Sequence, residues 1–150
     1  MVPVRTRFVV LGGLAAGVVI NLGEYLLNGV LLAQSWADAM RALNRPEQYT
    51  PSQLAAFSLW GFLMGIGAVW LYASVRDHYG PGLRTALYAA LAVWAIGYAF
   101  GAIPAAAMRM FPPVLVAYGV LGGVVEIVAG TVLGAWIYHP PAEAPRQAPA

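Results

Sequence analysis

Four side chains in an otherwise apolar sequence carry groups that could hold a proton or a cation: the carboxyls of Glu24 and Glu126 and the amides of Asn21 and Asn28. Three of them fall in the single stretch NLGEYLLN. At about 100° per residue Asn21, Glu24 and Asn28 share one arc of a helix with Gly13 and Gly17. On the last apolar segment Gly122, Glu126, Gly130 and Gly134 recur every four residues, which again places a carboxyl in a stripe of glycines. Acids flanked by neutral amides can titrate, or they can ligate a cation. They can also do nothing more than hydrogen-bond one helix to another, and serine would serve for that at lower cost.

The surroundings decide how costly such groups are. Of 150 residues, 61% are hydrophobic and only 9% charged, against roughly a quarter charged in a soluble domain. A soluble fold of this size has too little interior for so much apolar surface, whereas a bilayer accommodates it. An ionised carboxylate near the middle of a bilayer costs roughly 2.5–3.5 kcal/mol on insertion scales, so Glu24 and Glu126 are expected to face protein or trapped water. Neither has a cationic residue at its own depth, so in a dry site at least one of them is expected to hold a proton at neutral pH. A net charge of +2, from eight arginines and no lysine, is too small to argue for nucleic acid. Without cysteine there is no disulfide, thiolate metal site or cysteine nucleophile.

Four segments reach the ~20 residues needed to cross a hydrocarbon core: about 8–32, 54–75, 85–103 and 114–138. The first is read as a retained helix rather than a cleaved leader. HYGPG at 78–82 predicts a tight turn between the second and third spans. Pro104 and Phe111-Pro112-Pro113 are expected to end the third span and start the fourth. In the longer connection, Ser35 with Asp38 resembles a capping box, and Trp36, Met40 and Leu43 fall at i, i+4 and i+7, which predicts a short helix lying in the membrane interface. Thr50-Pro51-Ser52-Gln53 has the residues of a capped helix start. Residues 1–139 thus read as a single four-helix domain, and 140–150, rich in proline and alanine, as a disordered tail.

Every span has one small-residue face, and in lipid such faces let backbones approach closely. The predicted fold is all-α: an up-down-up-down bundle of four transmembrane helices with the interfacial helix between spans 1 and 2. Arg5, Arg7, Arg76, Arg84 and Arg146 lie on the side of the termini, and Arg41, Arg45 and Arg109 on the other. That bias favours termini in the cytoplasm of a bacterial inner membrane. Within the third span Trp94 and Tyr98 lie on or beside the arc of Gly97 and Gly101, where they could line a pocket or merely fill the gap over the glycines.

NLGEYLLNGVLL, SWADAM and VEIVAGTVLGAWIY together resemble small four-span bacterial integral membrane proteins of no known activity, so the resemblance implies the layout and assigns no role to any residue. The residues themselves suggest a proton-linked site, formed by Glu24, Glu126, Asn21 and Asn28, for transport or binding of a small hydrophobic or cationic ligand. The alternative is a non-catalytic subunit of a larger membrane complex, or a homo-oligomer, with the bilayer as its main partner. Catalysis is not expected, because no Ser/His/Asp set falls within the spans. No cofactor or metal is expected either, since His78 and His139 lie at helix ends at one membrane face, the ordinary interfacial position of a histidine, and two histidines make a weak metal signal.

Overall fold

Apolar runs of membrane length become helices here because a helix satisfies every backbone polar group within its own segment. The computed structural model describes residues 4–138, so His139 and the Pro/Ala tail lie outside the described residues. Helix α1 (Thr6–Glu24) runs without a break into a π-helical stretch, Tyr25–Leu31, and is followed by α2 (Ala33–Ala42) and α3 (Pro51–Tyr79). Helix α4 (Leu83–Trp94) continues through a second π-helical stretch, Ala95–Ala99, into α5 (Phe100–Ala107), and α6 covers Pro113–Ile137.

Among the described residues there is no strand. Four helical rods, Thr6–Leu31, Pro51–Tyr79, Leu83–Ala107 and Pro113–Ile137, are each long and apolar enough to cross a membrane. Their outer faces carry Ile96, Leu121 and Val125 at 70%, 64% and 68% exposure. Side chains of that kind would not stay in water, and acyl chains cover them at no cost. The chain is a membrane protein.

Helix α1 packs against α3 and α6, α4 packs against the same two, and α3 touches α6. Ile20, Val69 and Ile127 are fully buried where these helices meet. The closest backbone approach involves Gly65 of α3: a Cβ there would stand 2.6 Å from the Gly13 carbonyl oxygen and 2.9 Å from the Gly17 Cα.

Punctuation by glycine and capping follows the residues closely. Between α3 and α4, Gly80 and Gly82 take φ of 83° and 122°, left-handed values that a side chain would resist. At the start of α3 the Gln53 amide N–H donates to Thr50 Oγ1 at 3.3 Å, and the Thr50 amide N–H donates to Gln53 Oε1 at 2.8 Å. This reciprocal pair satisfies two donors that the first turn otherwise leaves open. Replacing Thr50 by alanine is expected to cost about 1 kcal/mol, a fall of about 2–4 °C in the thermal midpoint of the purified protein.

Two expectations fail. Ser35 does not cap α2, which begins at Ala33 after Leu32 and has no side-chain cap. The π stretch delivers the chain straight into α2, with the Leu32 N–H donating to the Leu27 carbonyl, so helical geometry is in place before Ser35 is reached. Asp38 instead accepts from Gln34 and Arg41 along the exposed face. Pro104 does not end the third span either, because it lies inside α5, which runs on to Ala107. One missing N–H removes one bond, and the helix stops only where Arg109 turns to a φ of 50°.

In the connection after α2, Arg41 forks onto Glu47, with Nε donating to Oε1 at 2.8 Å and Nη2 to Oε2 at 2.9 Å. These charge-assisted bonds hold the Glu47 carboxyl below its ordinary range. Because the folded value is the depressed one, the contribution of the pair is present above the ordinary glutamate range and disappears as pH falls through the folded value. In a carboxyl NMR titration Glu47 is expected to protonate at lower pH than free glutamate, and Arg41→Gln should return it to the ordinary range.

Candidate functional site

The two π-helical stretches lie on either side of one cluster. Glu24 is the last residue before the first, and Tyr98 lies within the second. Such widened turns need one more residue per hydrogen bond than an α-helix and are frequent at functional sites. Glu24 is half-buried and both of its oxygens are engaged: Tyr98 donates its hydroxyl to Oε1 at 2.6 Å, and Asn28 donates Nδ2 to Oε2 at 2.5 Å. Asn28 in turn accepts the indole N–H of Trp36 on Oδ1 at 2.8 Å. A continuous hydrogen-bond chain therefore runs from the third span through Glu24 and Asn28 to α2.

Glu126 enters from α6 on the opposite side. It is 7% exposed and faces the Glu24 carboxyl and the Tyr98 hydroxyl. Room for its side chain comes from Gly23, where any Cβ would overlap Glu126 Cγ. Among the described residues Glu126 Oε2 is buried with no hydrogen-bond partner. An unpartnered carboxyl oxygen in an apolar interior is costly and calls for a donor, either a proton of its own or a water. Tyr98 is held at its ring as well: Trp60 packs against it edge to face, with centroids 5.0 Å apart, and Gly123 leaves space for its edge.

The sequence-predicted residues divide as follows. Glu24, Glu126, Asn28 and Tyr98 come together. Asn21 lies beside them but spends its amide on packing, donating Nδ2 to the Gly17 and Ser58 carbonyl oxygens at 2.8 and 3.2 Å. Trp94 is elsewhere: its indole N–H donates to the Val120 carbonyl at 2.8 Å and ties α4 to α6. Trp36, placed by its spacing on the apolar face of α2, donates its N–H to Asn28, and its ring meets Phe111 edge to face at 5.3 Å. The apolar face shared by Trp36 and Met40 on α2 was the signal that could have placed it at the site.

Glu24, Asn21 and Asn28 form one wall of a cavity of about 430 Å³. Its other walls include Tyr25, Trp36, Tyr49, Phe57, Trp60 and Phe111, with no arginine, lysine or histidine among its lining residues. Glu126 and Tyr98 do not line the cavity and stand behind Glu24. Tyr25, Leu54 and Phe57 are more than half exposed, so this side of the cavity borders the outer surface of the bundle. Among the described residues no three of His, Asp and Glu gather as a metal site. His78 packs against Tyr79, while His139 falls outside the described residues.

No protein family matches this chain, and neither a curated protein nor a solved structure is similar to it at a significant level.

Proposed function

We propose that this protein binds or transports a small hydrophobic or cationic ligand in exchange for a proton at the Glu24/Glu126 site. The observation that carries the reading is that Glu24 lines a cavity while Tyr98 and Glu126 stand behind it, out of the cavity. One acid is thus open to a ligand and the other is not. Two facing carboxyls without a cationic partner hold a proton between them, because two ionised acids so close in an apolar interior repel each other. A ligand that brings positive charge to Glu24 displaces that proton.

The architecture that supports this reading is an up-down-up-down bundle, in which the three-residue connection between α3 and α4 forces a reversal of direction. The first and last spans meet along α1 and α6, which sets Glu24 and Glu126 against each other. Helix α2 lies in the interface at the ligand end and closes the cavity with Trp36 and Met40. Arginine distribution puts both termini in the cytoplasm, with a bacterial inner membrane as the location. The test is proton release from weakly buffered, purified protein on adding hydrophobic cations, with the Glu24→Gln, Glu126→Gln double variant as the blank. Release from the native chain alone is expected, and the same signal from both would remove the proposal.

A further inference from the structure

We infer that the ligand class of this cavity is a lipophilic quaternary ammonium ion, a cation with apolar substituents and no N–H of its own. The inference rests on the proton-linked reading for its site and adds the chemistry of the occupant. Three features of the cavity lead to it.

Among the described residues the only acid that lines the cavity, Glu24, already accepts a hydrogen bond on each oxygen. A primary amine or guanidine would find about half of the acceptor sites of this carboxylate already taken by Tyr98 and Asn28. A quaternary ammonium asks only for the charge. The amides are partly engaged as well: Asn28 Oδ1 accepts from Trp36, and Asn21 Nδ2 donates to two carbonyls. Sodium, magnesium or calcium would find one carboxylate in a lining that is mostly aromatic and apolar, where a hard cation needs about six oxygen ligands.

The remaining wall is aromatic. Six rings, those of Tyr25, Trp36, Tyr49, Phe57, Trp60 and Phe111, surround the space. Ring faces attract a cation that cannot be hydrated, and cages of this composition are the usual protein answer to a quaternary ammonium. The volume of about 430 Å³ lies within the ~300–1,000 Å³ range of small-molecule sites. An anion would meet an acid with no compensating cation in the lining, which excludes that class on charge.

Behind Glu24, the buried Oε2 of Glu126, with no hydrogen-bond partner among the described residues, has room for the exchanged proton. The exchange balances simply: one ammonium enters, one proton leaves the Glu24/Glu126 pair for solvent, and the net charge of the occupied site is unchanged. No covalent bond forms apart from those to the transferred proton. Entry is from the side, since Tyr25, Leu54 and Phe57 form the part of the wall that reaches the lipid-facing surface, where an ion with apolar substituents accumulates.

The experiment compares benzyltrimethylammonium with neopentylbenzene, which has carbon in place of the nitrogen and the same shape. Binding to the full chain in nanodiscs is measured by calorimetry together with proton release. The ammonium is expected to bind at least tenfold more tightly than the hydrocarbon and to release close to one proton per site. Trp60→Leu and the rim variant Phe57→Leu should each weaken the ammonium by about tenfold and leave the hydrocarbon unaffected. Phe57 lies at the exposed mouth, so its replacement keeps the test decisive if Trp60→Leu, whose ring supports Tyr98, fails to fold. Equal affinities, or preference for the hydrocarbon, would overturn the ammonium assignment, and proton release on hydrocarbon binding would leave the broader proposal standing. Ammonium binding without proton release would keep the ligand class and remove proton linkage. Absence of binding by either compound overturns both.

Discussion

Valine at position 65 is expected to prevent the first two spans from closing on each other. A side chain at Gly65 would meet backbone on every side, the Gly13 carbonyl and the Gly17 amide and Cα, and backbone cannot rotate away as a side-chain tip can. The helices would have to separate along the face where Gly13 and Gly17 meet Ile66 and Phe62. Overpacking usually costs about 1–3 kcal/mol, and a clash with rigid helix backbone belongs at or beyond the upper end. Gly67 is the control, two residues away on the same helix, with nothing within 4 Å of an added Cβ. Thermal unfolding of Gly65→Val and Gly67→Val should differ by ~10 °C or more for a chain of this length. If the two variants melt together, the close approach of the first and second spans is wrong.

Single substitutions at the two acids should behave differently from one another, and the asymmetry is the sharper result. Glu24→Gln removes the one acid among the described residues that line the cavity, and with it the charge that attracts a cation. Affinity for a quaternary ammonium should fall on the order of a hundredfold, as for loss of a desolvated charge interaction of about 3 kcal/mol. Glu126→Gln leaves Glu24 in place with its bonds from Tyr98 and Asn28, and it removes the neighbour that shares the proton. That variant should still bind, now with little or no proton release. The measurement is the number of protons released per ligand bound at neutral pH, taken beside the dissociation constant. Equal loss of affinity in both variants would mean that the acids act as one structural unit, with no division between ligand contact and proton store.

The residues of the candidate site were legible one at a time. Glu24 and Glu126 declared themselves because acids are costly in an apolar segment, and that argument needs no partner. Their partners were hidden by distance and by helix geometry. Tyr98 lies 74 positions after Glu24, and its ring looked like one of several aromatics in a span. Trp94 was placed on the arc of Gly97 and Gly101 and Tyr98 beside it at 100° per residue, but the chain widens into a π-helix immediately after Trp94, so that spacing does not hold between them. One ring bonds to the Val120 carbonyl and the other to Glu24.

Composition and local punctuation in the sequence were sufficient for four membrane-length helices, the capped start at Thr50, the glycine turn at 80–82 and the inward placement of Glu126. Each of these depends on the free energy of a short segment in its solvent, or on the backbone needs of one or two residues. Tertiary structure alone decided that Glu24 lines an aromatic cavity, that Tyr98 connects it to the third span and that Trp36 turns inward from α2. Those outcomes depend on how each helix is rotated about its axis and where its turns widen. In a segment apolar all round, the hydrophobic pattern carries little information about rotation, so contacts between helices settle it.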